Sequence, residues 1–250
     1  MSALEKQKRY KCIACDIFFR EFSLAAALSD NIIKLTFMQQ GLHSMGAERM
    51  SLALQEEIDN TDASLFDAIL LGYGLCGYGV SGLHSELPIV IPRAHECIPL
   101  LMGDRDKYLD YFNNNHGTFY LSPGWIERAG MGKDSSESDQ NIGIKYNRNE
   151  LIERYGEEMA DYIAETLGGW DKNYSKYTLI DTGTGNLEYY EKETLRRAAE
   201  KGWEYEKYVS ENRLAMLLFS GDWNEYDFLI VPPGAKLIPT YDDSIVGYKL

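Results

Sequence analysis

Apolar and polar positions along this chain follow two alternating patterns. Short, continuous apolar runs of strand length recur, and stretches with the apolar spacing of an amphipathic helix separate them. The clearest run, residues 66–73, ends in a glycine-rich stretch, which is typical of a buried parallel strand followed by a turn. The alternation predicts an α/β fold with doubly wound, mostly parallel sheets.

Strands and helices are predicted in turn along most of the chain. The predicted strands are residues 10–15, 33–38, 66–73, 88–92, 118–121, 177–181, 204–209 and 228–231. The predicted helices are residues 20–28, 47–58, 97–112, 148–167, 188–201 and 211–219.

Two stretches near opposite ends of the chain have similar patterns. LFDAILLGYG at residues 65–74 lines up with EYDFLIVPPG at residues 225–234, and each joins an acidic residue, an apolar strand and a glycine turn. We therefore expect two Rossmann-like halves with a cleft between them, a common place for a ligand. The alternative is one continuous domain whose units share only a general α/β pattern.

A polar stretch at residues 130–147 interrupts the pattern and helps to set the expected boundaries. The chain is expected to divide into three regions. Residues 1–129 would form an N-terminal Rossmann-like half that carries the candidate site. Residues 130–170 would form a polar loop with a helical excursion, and residues 171–250 a C-terminal Rossmann-like half.

The net charge of −14 narrows the range of partners. Nucleic acids and anionic membranes bind clustered Lys and Arg, so neither is expected as a partner.

The N-terminal MSALEKQKRYK lacks the apolar core of a signal peptide, and no run approaches the roughly 18 apolar residues of a membrane span. We therefore expect a cytoplasmic protein with reduced cysteines. Its 18 tyrosines and 9 phenylalanines suit a homo-oligomer interface as well as a core.

Four potential metal ligands stand at or just past the ends of predicted strands: Cys15, Cys76, His95 and Cys97. In an open α/β sheet, the carboxyl ends of the strands lie along one edge, where ligands bind. Thiolates and imidazoles are ligands that zinc prefers, and iron is a second option. The sequence therefore predicts a metal site at this edge.

The stretch GYGLCGYG at residues 72–79 contains the pattern G-x-G-x-x-G directly after a strand. Gly72, Gly74 and Gly77 are therefore candidate cofactor-binding residues. The strand is the third in the chain, however, and no helix is predicted after it. A sharp turn that exposes the Cys76 thiol is the favoured interpretation. The alternative is a glycine-rich turn around a buried, inert cysteine.

Cys76, His95 and Arg93 are the predicted catalytic residues. Arg93 next to the site would lower a thiol pKa or hold an anionic substrate. Taken alone, the pattern His-x-Cys is also compatible with a histidine that caps the following helix.

Three other residues have less certain roles. Cys12 lies inside a predicted strand and is expected in the core. Glu21 is expected as a carboxylate on the helix surface, with a proton acceptor at the sheet edge as the alternative. Trp125 is expected in the core or an interface, with a pocket wall as the alternative.

Several sequence segments resemble the domain-of-unknown-function 1638 family. The strongest are LGYGLCGYG, IPRAHECIPLLMGDRDKY and TFYLSPGW, and IACDIFFRE and WNEYDFLIVPPG also fit its pattern. The four potential metal ligands fall on its motif positions. The family's members resemble one another in coming from anaerobes and methanogens, often encoded near corrinoid-dependent methyltransferases. The resemblance therefore implies a role in one-carbon metabolism, with a corrinoid protein or a methyltransferase as a partner. It implies a corrinoid cofactor only through this association.

The expected function is that of a metal-binding protein of anaerobic one-carbon metabolism, with zinc favoured over iron. Its site would activate a thiolate or handle a methyl group of a small-molecule substrate. A catalytic ion keeps an open coordination position, whereas four protein ligands imply a structural ion. Two alternatives stay open: a non-catalytic module that binds a corrinoid, a pterin or a small molecule, and an enzyme with a cysteine nucleophile.

Overall fold

The computed structural model describes residues 7–128 and 170–250, together with the single positions 152, 156, 157 and 159. The predicted polar loop at 130–147 and nearly all of the predicted helix at 148–167 lie outside the described residues. Within them, the chain has the predicted mixed α/β fold with parallel sheets.

Five of the described strands form the larger sheet, in the order β2-β1-β3-β4-β8. Its members are β1 (Arg9–Cys15), β2 (Ile32–Met38), β3 (Ala68–Gly72), β4 (Ile89–Pro92) and β8 (Phe228–Val231). The first four are parallel, and β8 runs antiparallel to β4. Because β1, β3 and β4 are neighbours, their carboxyl ends are adjacent at one edge.

Helices α1 (Phe19–Leu28) and α2 (Ala47–Asp59) contact opposite faces of the larger sheet. Phe22 of α1 lies above Ala14 and Gly72, where it fills the space that a Cβ atom at Gly72 would need. On the other face, the Lys11 Nζ atom lies 2.6 Å from a carboxylate oxygen of Glu57 in α2. Neighbouring side chains of a strand alternate between faces, so Lys11 and Ala14 of β1 point to opposite sides.

The smaller sheet is parallel and has the order β5-β6-β7 among the described strands. It consists of β5 (Thr118–Leu121), β6 (Lys176–Asp181) and β7 (Glu204–Val209). Helix α6 (Leu187–Lys201) connects β6 to β7, as expected for a parallel pair. Its buried side packs Tyr190 and Ala198 into a separate core cluster with the strands of this sheet.

The order of the chain does not follow the division between the two sheets. β5 precedes residue 129 but belongs to the smaller sheet, whereas β8 follows residue 171 and completes the larger one. The two similar stretches at 65–74 and 225–234 contain β3 and β8, which flank β4 in the same sheet. The division between the sheets therefore does not coincide with the boundaries expected at 129 and 171.

The single helix predicted over residues 97–112 is wrong, because two helices occupy this stretch: α3 (Ile98–Met102) and α4 (Arg105–Asn114). Gly103 adopts the left-handed conformation with φ +79°, which ends α3. The Asp104 carboxylate then accepts hydrogen bonds from the backbone N–H groups of Asp106 and Lys107 and caps α4.

Four further elements were not expected from the sequence pattern or differ from it. Helix α5 (Pro123–Arg128) follows β5, and β9 (Lys236–Pro239) pairs antiparallel with β10 (Val246–Lys249). Helix α7 (Arg213–Ser220) begins two residues later than predicted.

Residues just past the carboxyl ends of strands in the two sheets contact each other. Gly124, after β5, lies so close to Ile17, after β1, that a Cβ atom at this glycine would be 1.7 Å from the Ile17 carbonyl oxygen. An ion pair of 2.6 Å joins Arg20 of α1 to Glu127 of α5. The edge that carries the predicted site is therefore covered in part by the second sheet. In the part of the chain that the structure describes, no helix is both long and apolar enough to cross a membrane.

Candidate functional site

Three cysteines lie at the carboxyl edge of the larger sheet and form what we call the thiol cluster: Cys15, Cys76 and Cys97. Cys15 is the last residue of β1, Cys76 lies in the loop after β3, and Cys97 precedes α3 in the loop after β4. The Cys76 and Cys97 Sγ atoms are 4.0 Å apart. Cys15 is buried close enough for its charge to affect the pKa of Cys97. The order of the strands therefore brings together thiols that are far apart in sequence.

The loops after β3 and β4 continue the pairing of these strands beyond their ends. The Leu75 N–H donates to the Ala94 carbonyl at 2.8 Å, and the Cys76 N–H donates to the His95 carbonyl at 2.9 Å. A Cβ atom at Gly74 would lie 2.7 Å from the Glu96 nitrogen, so only glycine permits this close approach. The pairing holds Cys76 next to Cys97.

The backbone of the turn at Cys76 is strained. Cys76, Gly77 and Tyr78 have φ angles of +46°, +62° and +72°, so three successive residues are left-handed. This conformation suits glycine, but it costs roughly 1–3 kcal/mol for a residue with a side chain and is concentrated at functional sites. The strain directs the Cys76 thiol to the edge of the sheet, in keeping with a functional role.

The three candidate cofactor-binding glycines have different surroundings. The space beside Gly72 is filled by Phe22 and Ala14, and that beside Gly74 by the backbone of the 94–96 loop. Nothing lies within 4 Å of the position that a Cβ atom would take at Gly77. Packing therefore accounts for Gly72 and Gly74, and turn conformation accounts for Gly77. A cofactor contact at these glycines stays a prediction.

The Arg93 side chain binds backbone carbonyls near the C-terminus. It donates to the carbonyl oxygens of Glu225, Ser244 and Val246 at 2.7–2.8 Å. Burial lowers the pKa of Arg93. These three bonds engage the guanidinium in holding the chain together, and a catalytic role for Arg93 stays a prediction.

His95 contributes its backbone to the site in this structure. Its carbonyl accepts the Cys76 N–H, while the residue itself is exposed. Coordination of an ion by its imidazole stays a prediction. Among the described residues, no three His, Cys, Asp or Glu side chains are arranged to hold one ion.

The pKa values of Cys15 and Cys97 are both raised, and acidic groups are the main charges that act on them. The hydrogen bond with Cys76 and then burial raise the pKa of Cys97 well above its usual range, and the charges of Cys15 and Glu96 add to this. Burial raises the pKa of Cys15 to about 12, although backbone N–H groups of Ile17 and Asp16 point to its sulfur and oppose the rise. Cys15 and Cys97 are therefore protonated at neutral pH unless a cation joins them.

Tyr73 is a member of this site that sequence reasoning missed. The residue is 2% exposed, and its hydroxyl has no hydrogen-bond partner. Burial raises the pKa of Tyr73, and the charges of Cys15, Cys97, Cys76 and Cys12 raise it further. The signal in the sequence was its place directly after β3, at the strand end that carries Cys76.

The structure also places Cys12, Glu21 and Trp125. Cys12 is fully buried in the core, which confirms the expectation. The expectation that Glu21 is a surface carboxylate is wrong, because Glu21 is 3% exposed and accepts a hydrogen bond from the Thr182 hydroxyl at 2.6 Å. Trp125 is partly buried and packs against both core clusters.

Comparison with known proteins gives one positive result. No curated protein and no solved structure matches the chain. A family model described as "Protein of unknown function (DUF1638)" matches residues 37–217. The match includes Cys76, Arg93, His95 and Cys97, whereas Cys15 lies before it. Because the model covers well over half of the sequence, the chain belongs to the DUF1638 family.

Proposed function

We propose that Cys15, Cys76 and Cys97 bind one zinc ion through their thiolates and leave a coordination position open for the sulfur of a small thiol substrate. The observation that carries this proposal is the 4.0 Å distance between the Cys76 and Cys97 sulfurs. Two thiolates that bind a tetrahedral zinc ion at 2.3 Å are about 3.8 Å apart. The pair therefore has almost the spacing that one ion requires. Cys15, whose charge raises the pKa of Cys97, would move to complete the set.

The charges around the cluster support a cation at this place. The groups that act most on the pKa of Cys97 are Cys76, Cys15 and Glu96, all of which are acidic. Acidic groups crowded together without a counter-charge are destabilised when they ionise. A bound metal ion supplies the positive charge, so the thiols bind it in their deprotonated form. Iron would meet the same requirement and is the second choice.

Bound zinc would keep the substrate sulfur as a thiolate at neutral pH. The substrate sulfur would attack a methyl carbon with its lone pair, and the bond between that carbon and its donor would break, with the electron pair leaving on the donor. The Tyr73 hydroxyl, buried near the thiols, would donate a hydrogen bond to a sulfur in this site. A role in anaerobic one-carbon metabolism, with a corrinoid protein or a methyltransferase as the partner, is proposed on the resemblance alone.

The proposal takes the molecule as two Rossmann-like halves, one built on each sheet, with the substrate bound in the cleft between them. Helices on opposite faces of β1 support doubly wound packing of the larger sheet. The contacts of Ile17 and Arg20 with α5 support a cleft at the carboxyl edges of both sheets.

A cysteine nucleophile without a metal is the weaker alternative. That chemistry needs a thiol of low pKa next to a base or a cation. Instead, the pKa values of Cys15 and Cys97 are raised, and the Arg93 guanidinium is bonded to carbonyl groups. A non-catalytic module that binds its ligand in the cleft is compatible with the same fold and predicts no stoichiometric metal.

Metal analysis of the anaerobically purified full chain tests the proposal. We expect about one zinc per chain, loss of most of it in Cys76→Ser and Cys97→Ser, and full retention in Cys12→Ala, which removes a core thiol as the matched control. His95→Ala should also retain the ion, because three thiolates hold it. A metal-free wild type would overturn the proposal, and loss of zinc in His95→Ala would replace the open site with a closed, structural one.

A further inference from the structure

A second group of buried polar atoms lies where the loop after β6 meets α1. This loop, Asp181–Asn186 with the sequence DTGTGN, leads from β6 into α6, and we call it the glycine loop. Glu21 of α1 faces it. One carboxylate oxygen of Glu21, Oε1, accepts hydrogen bonds from the hydroxyls of Thr182 at 2.6 Å and Thr184 at 3.3 Å. The other oxygen, Oε2, is buried and has no partner.

A second buried acceptor lies on the other side of Thr182. The side-chain amide of Asn212 donates to the Thr182 carbonyl at 2.6 Å, and its own oxygen, Oδ1, is buried without a partner. Asn212 has a left-handed backbone with φ +52°, so its backbone is strained in the position that holds this side chain. A buried acceptor that lacks a donor destabilises the folded state, because it has lost its hydrogen bonds to water. Glu21 Oε2 and Asn212 Oδ1, on either side of Thr182, therefore point to a ligand that carries hydrogen-bond donors.

We propose that this place binds a ribonucleoside that carries no phosphate group, with ribose hydroxyls donating to Glu21 Oε2 and Asn212 Oδ1. The hydroxyls of a ribose are hydrogen-bond donors, and a carboxylate is the group that α/β folds use to bind them. The ligand would lie at the carboxyl end of β6, where parallel sheets bind ligands. This site is separate from the thiol cluster and does not depend on the proposed zinc.

The charges near the glycine loop exclude phosphates. Glu21 and Asp181 are both acidic, and the Asp181 carboxylate accepts the Gly183 N–H at 2.9 Å. The neighbouring cation, Arg20, is bonded twice to Glu127 at 2.6 and 2.7 Å. A phosphate at this place would meet negative charge without a free counter-charge from Arg20.

An aromatic side chain lies on a helix that contacts both helices next to the glycine loop. Trp125 of α5 is only partly buried and packs against both core clusters, and α5 contacts α1 and α6. Nucleobases stack on such side chains. In the proposed complex the acceptors would bind the sugar and Trp125 would stack on the base.

Isothermal titration calorimetry of the full chain with adenosine, guanosine, cytidine and uridine tests this proposal. We expect at least one to bind with a dissociation constant below about 1 mM. The matching 2′,3′-dideoxynucleoside and 5′-triphosphate should each bind at least tenfold more weakly, a difference of about 1.4 kcal/mol. The dideoxy comparison uses wild-type protein and needs no variant to fold. Binding of none of the four, or equal binding of the dideoxy form, would overturn the proposal, as would tighter binding of the triphosphate.

Variants assign the binding to Glu21. Glu21→Gln keeps the shape of the side chain but presents an amide donor to the ligand, so we expect at least tenfold weaker binding by a protein that still unfolds cooperatively. Glu188→Gln removes an exposed acidic group from the first turn of α6 and should bind like wild type. Cys76→Ser should also bind like wild type, which separates this site from the proposed zinc. Unchanged affinity in Glu21→Gln would refute the assignment.

Discussion

At the scale of single residues, buried polar atoms without partners mark both candidate sites. The Tyr73 hydroxyl lies near the thiol cluster, and Glu21 Oε2 lies beside the glycine loop. Native proteins leave few such atoms unpaired, because each one loses its hydrogen bonds to water on folding. Both atoms lie near carboxyl ends of parallel strands, where α/β sheets bind ligands, and this position favours binding over packing as their role.

The Glu21 carboxyl should make stability depend on pH. Burial raises the pKa of Glu21, and hydrogen bonds from Thr182 and Thr184 together with the charge of Arg20 oppose this only in part. With a raised pKa in the folded state, the contribution of this group to stability is full at low pH and is lost as the pH rises through that pKa. We expect Glu21→Gln to melt higher than wild type at pH 8, by roughly 2–4 °C for each kcal/mol relieved.

The comparison needs melting curves by circular dichroism between pH 5 and pH 8. The gain of Glu21→Gln should shrink as the pH falls through the raised pKa of the folded state, because the folded wild-type carboxyl is then protonated and no longer buries a charge. Glu188→Gln should follow wild type across the range. A gain of equal size at pH 5 and pH 8 would contradict this explanation.

At the scale of elements, the break between α3 and α4 connects local capping to the site. Asp104 caps α4, and this helix carries Tyr108, whose hydroxyl donates to Glu96 at 2.5 Å. Glu96 in turn precedes Cys97 and raises the pKa of its thiol. The start of α4 therefore determines where an acidic neighbour of the thiol cluster is held.

Removal of this cap should lower the free energy of unfolding by a measurable amount. Asp104→Ala leaves the N–H groups of Asp106 and Lys107 without their acceptor, at a cost of about 1 kcal/mol. Urea unfolding should show a lower midpoint with an unchanged slope. Asp110→Ala, which removes an exposed carboxyl later in the same helix, should leave the midpoint nearly unchanged. Equal effects of the two substitutions would show that the cap contributes nothing specific.

The bounds of the elements were largely predictable from the sequence, because apolar periodicity is a local property. β5, β7 and β8 have the predicted ends, and most other elements differ by one or two residues. α5 was missed because Pro123 and Gly124 have the composition of a loop. The burial of Glu21 could not be predicted, because its partner Thr182 is 161 residues away and no local pattern brings them together. The strand ends did identify the edge where Cys15, Cys76 and Cys97 meet.

At the scale of the whole molecule, the end of the chain supports the loop that carries the candidate site. Arg93, just after β4, bonds carbonyls of Glu225, Ser244 and Val246. Its backbone N–H also donates to the Asp227 carbonyl at 2.8 Å. The segment around β8 and β10 is thereby fixed to the loop between β4 and Cys97.

Arg93→Ala should destabilise the whole protein. Three carbonyls would lose a charged donor, at a cost of about 2–4 kcal/mol in the free energy of unfolding. Arg105→Ala removes a single such bond, to the Asp243 carbonyl, and should cost less than about 1 kcal/mol. Urea unfolding measures both. Unchanged stability of Arg93→Ala together with loss of substrate binding would instead favour a catalytic role.

The position of β8 in the larger sheet has a consequence for synthesis of the protein. β4 borders β3 on one side, and its other side is covered only when β8 arrives. Synthesis of the roughly 140 residues from Pro92 to Phe228 takes about 7–28 s at ribosomal rates. For that time the nascent chain exposes an unpaired apolar strand, which favours pairing with other chains. Aggregation therefore competes with folding chiefly before the ribosome has completed β8.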